Sequence, residues 1–183
     1  MAYVLGSFLV SLVFTLLLVR YRRLHVNFTG DTDFEGVQKF HNRAVPRVGG
    51  IALVFAMLAP CAVAWFRDRE VLLPLLLLIA CSMPVFLGGL AEDISKRIRA
   101  RDRLFLALVS GAFAYFLLGA GITRLDIPGI DWLLGIGAVS FLVSVFAIAG
   151  AANAINIIDG YNGLAAVVSG MILAGLSYVS YYL

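Results

Sequence analysis

Long apolar runs separated by short charged segments give this sequence its main pattern. Uncharged stretches occupy residues 2–19, 49–66, 71–90, 104–122, 132–152 and 163–183, each reaching the roughly 18 residues that a helix needs to cross a bilayer. Apolar side chains are continuous within them rather than alternating, so the pattern predicts helices and rejects the closed barrel, the other structure that satisfies its backbone in lipid. The expected fold is all-α: a polytopic transmembrane helix bundle of six spans, forming a single membrane domain over residues 1–183. No internal repeat or low-complexity linker divides it. Residues 2–19 have no basic segment ahead of them and no small-residue cleavage site behind, which reads as an uncleaved span rather than a signal peptide.

Composition agrees, with 62% hydrophobic and only 14% charged residues, outside the range of soluble domains. The cations set the orientation. Arg20, Arg22, Arg23, Lys39, Arg43 and Arg47 occupy the first connection, and Lys96, Arg97, Arg99, Arg101 and Arg103 the third. The second and fourth connections are short and nearly neutral. Because Lys and Arg near span ends stay on the cytoplasmic side, the N-terminus is expected outside and the first, third and fifth connections inside. The net charge of +3 then belongs to topology and anionic membrane lipids, and nothing points to nucleic acid. Cys61 and Cys81 lie within spans without metal-ligand spacing, and read as packing residues.

Three polar segments fall on that one inner side. The fifth connection reads NAINIIDGYNGLAA, residues 153–166. If the preceding helix continues, Asn153, Asn156 and Asp159 recur at i, i+3, i+6 and share about a third of the helix circumference. Their oxygens suit Mg²⁺, and a carboxylate near a span end needs solvent, a partner or a metal. Gly160 and Gly163 would let a ligand approach the backbone or the helix bend. The plain alternative is a polar loop of turn residues. The third connection begins GGLAEDISKRIRARDRL, residues 88–104, with adjacent Glu92 and Asp93 followed by Lys96 and Arg97. Paired acids can divide proton abstraction and metal binding, while the cations hold phosphate. Alternatively this is a solvated juxtamembrane helix start, acids first and cations beyond, with a Glu92–Lys96 pair. The first connection ends GVQKFHNRAVPRVGG, residues 36–50. There His41 is a ligand or a surface residue, and Arg47 grips a diphosphate or marks the membrane edge.

Together these motifs resemble those of the polyprenyl-phosphate N-acetylhexosamine-1-phosphate transferases, the membrane enzymes that initiate O-antigen, teichoic-acid and peptidoglycan synthesis. Order, spacing and side match over residues 36–183, and the NxxNxxDGxxGL pattern is the most specific. The resemblance implies transfer of a sugar 1-phosphate from a UDP-N-acetylhexosamine to a polyprenyl phosphate such as undecaprenyl phosphate. UMP is released, with Mg²⁺ as cofactor or Mn²⁺ in its place, at the cytoplasmic face of the inner membrane. It also implies that Asp93 with Glu92 deprotonates or positions the lipid phosphate. Asn156 and Asp159 fall in the metal and diphosphate cluster, Gly160 and Asn162 contact uracil, and Asn153 orders the cluster. Lys96, Arg97, His41 and Arg47 complete the substrate-binding set.

Two positions depart from the pattern: the acidic pair is often Asp-Asp, and Asn162 is often Asp. Family members also run to about twice this length and carry a further metal-binding Asp and a His-rich inner loop. Here the only histidines are His25 and His41. An N-terminal half is therefore expected, with a separate C-terminal half or a homodimer as partner. The alternatives are an inactive relic or a non-catalytic membrane subunit. A transporter would place its polar residues nearer mid-membrane, and a CDP-alcohol phosphotransferase would carry further spaced aspartates after Asp159.

Overall fold

Seven helices and one two-residue strand pair make up the described part of the computed structural model, which covers residues 2–21, 30–31, 45–46, 49–95, 98–159 and 163–182. In chain order these are α1 (Ala2–Arg20), β1 (Gly30–Asp31), β2 (Val45–Pro46), α2 (Gly50–Arg67), α3 (Arg69–Ser95), α4 (Ala100–Leu118), α5 (Ile130–Leu134), α6 (Gly137–Ile158) and α7 (Leu164–Tyr182). The strands pair antiparallel, Gly30 opposite Pro46 and Asp31 opposite Val45. Five helices, α1, α2, α3, α6 and α7, are long and apolar enough to cross a membrane. The all-α membrane bundle expected from the pattern is what forms.

Helix ends differ from the apolar runs for local reasons. The run at 104–122 becomes α4, which begins earlier because the Asp102 carboxylate accepts the Arg99 backbone N–H at 3.1 Å. It stops at Leu118 because Gly119 turns left-handed at φ 65°, the usual glycine helix stop. Arg101, Asp102 and Arg103 thus sit in its first turn, and fifteen uncharged residues, 104–118, follow. That charge keeps α4 out of the group of five. The run at 132–152 is broken at Ile136, whose extended backbone separates α5 from α6. Downstream, α6 continues six residues past the run, to Ile158. In α3, Pro74 and Pro84 are accommodated inside the helix, as neighbouring helices allow in membrane bundles.

Packing proceeds in chain order: α1 on α2, α2 on α3, α3 on α4, α4 on α6, with a lighter contact from α6 to α7. Phe14 stacks on Phe55 at 4.1 Å between α1 and α2. Elsewhere the buried positions are mostly small, such as Ala64, Gly88, Ala107, Gly111 and Ala149. Helices in lipid gain little from hiding apolar area and associate by close backbone approach instead. At Gly111 a β-carbon would lie 3.0 Å from the Val145 carbonyl oxygen and 3.2 Å from its Cα.

A polar tie fixes the α4–α6 pair at the end where α4 finishes. Ser144 Oγ accepts the Ile122 N–H at 2.7 Å and donates to the Ser140 carbonyl at 2.6 Å, while Ser140 Oγ donates to the Ile122 carbonyl at 2.8 Å. The segment after α4 has left the helix and needs these partners, since buried backbone groups must be satisfied.

Candidate active site at one end of the bundle

Adjacent helices run antiparallel, so Glu92, Asp93, Asn153, Asn156 and Asp159 lie toward a common end. Along α3 and α4 the register is marked three times. Ser110 Oγ accepts the Val85 N–H at 3.3 Å, Gly88 lies against Leu106, and Arg103 Nη1 donates to Glu92 Oε1 at 3.1 Å. Between α4 and α6, Gly111 is level with Val145, and Tyr115 meets Phe141 edge-on with centroids 5.2 Å apart. Carried on at that register, Asn153 comes level with Arg103 and Asn156 with Ala100. Asn156 is three turns from Val145, on the side of α6 that faces α4. It stands where α4 begins, and is exposed.

The acids occupy helix ends of one polarity. Glu92 and Asp93 lie in the last turn of α3, and Asp159 is the C-cap residue of α6, with non-helical φ −77° and ψ 55°. The reading of Glu92 and Asp93 as acids at a juxtamembrane helix start is therefore overturned. They sit where four backbone carbonyls lack helical partners and the macrodipole is negative, which costs about 0.3–1 kcal/mol for each exposed charge. Arg103 offsets this for Glu92. The expected helix through the polar motif holds for Asn153 and Asn156 and ends just before Asp159.

Successive residues project about 100° apart around a helix, and the two α3 acids meet different neighbours. Glu92 reaches α4 through the ion pair, with side chains 25% exposed for Glu92 and 34% for Arg103. Asp93 lines a cleft of about 130 Å³ between α2 and α3, together with Gly50, Ile51, Phe86, Gly89 and Leu90. The start of α2, reached through the His41–Arg47 segment, is thus beside the acid-bearing end of α3. His41, Arg47, Lys96, Arg97, Gly160 and Asn162 lie outside the described residues.

Among the described residues no group of three or more His, Cys, Asp or Glu side chains comes together. Mg²⁺ does not require one, because it is commonly held by one or two carboxylates with substrate phosphates and water completing the shell. Asp159 and Asn156, exposed hard oxygen donors beside the carbonyl end of α6, fit that demand. Arg103 is the participant that local sequence pattern missed. Its pairing with Glu92 depends on how α3 docks on α4, whereas the sequence offered Lys96 at helical spacing.

Fold and site together define an integral membrane protein with an acid-bearing polar site at the helix ends. The sequence pattern of glycosyl transferase family 4 matches residues 75–183, and the chain belongs to that family. It is 28% identical over 171 residues to a phospho-N-acetylmuramoyl-pentapeptide-transferase of Geobacillus kaustophilus, covering 87% of this chain and 52% of the relative. It is 30% identical over 171 residues to an undecaprenyl-phosphate alpha-N-acetylglucosaminyl 1-phosphate transferase of Escherichia coli, covering 92% and 42%. With the pentapeptide-transferase of a Synechococcus species the figures are 31% over 148 residues, 78% and 43%. The chain spans about half the length of the relatives it matches. No solved structure matches it.

Proposed function

We propose that this chain transfers a sugar 1-phosphate from a UDP-N-acetylhexosamine to a polyprenyl phosphate, releasing UMP, in the steps that initiate cell-envelope polysaccharide synthesis. What supports this reading is that Glu92 and Asp93 stand at the carbonyl end of α3 and Asp159 at that of α6, both ends lying at the same end of a membrane bundle of this family. A lipid phosphate and a water-soluble nucleotide meet only where helix ends reach the aqueous face. By the distribution of Lys and Arg that face is cytoplasmic, with six spans and the N-terminus outside.

In the reaction an oxygen of the lipid phosphate attacks the β-phosphorus of the UDP-sugar. The bond from that phosphorus to the bridging oxygen breaks, and UMP leaves with the bridging oxygen. Asp93 takes or orients the proton of the lipid phosphate, and Asn153 supports the loop that carries Asp159. Lys96, Arg97, His41 and Arg47 supply donors to the phosphates, and Gly160 and Asn162 meet the uracil. Asn156 and Asp159 would hold Mg²⁺, which supplies charge neutralisation between two anionic substrates and at the departing UMP.

The test is UMP release by the membrane-inserted chain with UDP-N-acetylhexosamines, polyprenyl phosphate and Mg²⁺, repeated with a chelator. Asp93→Asn and Asp159→Asn are expected to lower kcat by at least about 100-fold while insertion is unchanged. Full activity in both variants would end the assignment.

A further inference from the structure

The connection between α4 and α6, residues 119–136, does not leave the bundle as a surface loop would. After the left-handed turn at Gly119 the chain folds back along the helices it joins. Gly111 is level with Val145 and Tyr115 with Phe141, so Ser140 and Ser144 fall level with the last two turns of α4. Ile122 is hydrogen-bonded to both serines, about one turn below the point where α4 ends. Gly121 is drawn in with it, since a β-carbon there would stand 3.1 Å from the Tyr115 ring.

Non-helical backbone is thus held beside two apolar helices, and its polar groups are answered from within the protein. The Ala120 N–H donates to the Ala114 carbonyl at 3.2 Å, and the Gly121 N–H to the Gly119 carbonyl at 2.7 Å. The Leu125 N–H donates to Asp131 Oδ1 at 2.7 Å. Arg124 Nε donates to Asp126 Oδ1 at 2.6 Å, so the three charged residues of the connection, Arg124, Asp126 and Asp131, are all engaged. Irregular backbone is tolerated at membrane depth only when it is satisfied in this way.

The side chains that the connection leaves uncovered are apolar. Leu134, 2% exposed, fastens α5 to the bundle, whereas Trp132 on the same short helix is 75% exposed, and Ile127, Ile130 and Leu133 are uncovered as well. The level of the lipid there can be read from α3. At the α3–α4 register Leu118 comes level with Leu76 and Leu77. The apolar run of α3 begins at Val71, which is roughly 8 Å farther along the helix. Lipid flanking α3 therefore extends past the end of α4, into the layer that residues 119–136 occupy. Trp65, in the last turn of α2, stands at this same end with the Arg69 guanidinium 4.8 Å over its ring. Both tryptophans of the chain thus lie at the end opposite Glu92, Asp93 and Asp159, and tryptophan concentrates at the boundary between membrane and water.

We propose that residues 119–136 form a cap seated in the membrane interface of the leaflet opposite the acids. Trp132, Ile130 and Leu133 lie among headgroups and upper acyl chains, and the exposed Arg124–Asp126 pair is left to the water. The partner of this surface is the lipid interface itself. Through the serine bonds to Ile122 the cap fixes the depth of the α4–α6 pair in the bilayer.

The experiment uses the full chain in phosphatidylcholine vesicles whose acyl chains are brominated at graded depths. Trp65→Phe leaves Trp132 as the sole tryptophan, and Trp65→Tyr, which keeps a phenol ring beneath Arg69, serves if the first variant does not fold. Trp132 emission is expected well to the blue of tryptophan in water, with acrylamide quenching several-fold weaker than for the free amino acid. Bromines near the headgroups should quench it best, placing the indole within about 5–10 Å of the headgroup–acyl boundary. Full quenching by acrylamide with none by bromolipid would put the connection in water and overturn the proposal. Shielding from both quenchers would mean that protein, such as a second copy of the chain, covers Trp132, and strongest quenching from bromines at the bilayer centre would mean a buried segment. Either result also overturns it.

Discussion

Two serines show how much one polar atom can hold in this molecule. Ser144 Oγ is the acceptor for the Ile122 N–H at 2.7 Å, and the residue is buried. Replacing Ser144 with Ala leaves that backbone donor without its partner, so the variant should lose about 1–3 kcal/mol, read as a lower unfolding temperature in detergent. The serines drew no attention in the sequence, since Ser140 and Ser144 lie within an apolar run and their partners come from a distant segment. Asn153, Asn156 and Asp159 were legible because polar residues at helical spacing in so apolar a chain require a reason. Arg103 was visible only as one cation among several, because its partner is chosen by the docking of two helices.

Among the elements, the α4–α6 contact depends on the absence of a side chain. With Val145 backbone atoms 3.0–3.2 Å from where a Gly111 β-carbon would sit, Gly111→Leu must separate the helices. It is expected to destabilise by about 1–3 kcal/mol and to weaken transfer by shifting Arg103, two turns along α4. Thermal unfolding alongside UMP release checks both effects. The apolar runs located the long helices well, because length and hydropathy are properties of the run itself. They placed helix ends poorly, because ends are set by features such as the left-handed Gly119, the Asp102 cap and the extended Ile136, which carry little weight in a hydropathy pattern.

At the scale of the whole molecule, antiparallel packing puts Arg99 and Asp126 at opposite ends of the bundle, both exposed. With the orientation argued from Lys and Arg, Asp126→Cys in intact cells should react with a membrane-impermeant maleimide, and Arg99→Cys only after the membrane is opened. The native Cys61 and Cys81 are buried and should stay silent. The reverse labelling pattern would turn the bundle over and move the acids to the outer face. That residues 92–93 and 159 stand toward the same end of the bundle was readable from the order of the apolar runs, since successive antiparallel helices alternate direction. How the helices neighbour one another was not, since every apolar run is equally suited to any partner.

The shortness of the uncharged part of α4 reaches beyond the protein into the bilayer. Residues 104–118 rise about 22 Å as a helix, against a hydrocarbon core of about 30 Å. A span this short would be accommodated by thinning of the surrounding lipid and by the exposed Arg101 extending toward the headgroups, while Arg103 stays paired with Glu92. Such thinning would draw lipid phosphates toward the level of Glu92 and Asp93, and under the proposed function it would shorten the path of a polyprenyl phosphate to those acids. Transfer should therefore slow in vesicles of longer acyl chains and recover in shorter ones, with the steepest response when Arg103 is also replaced.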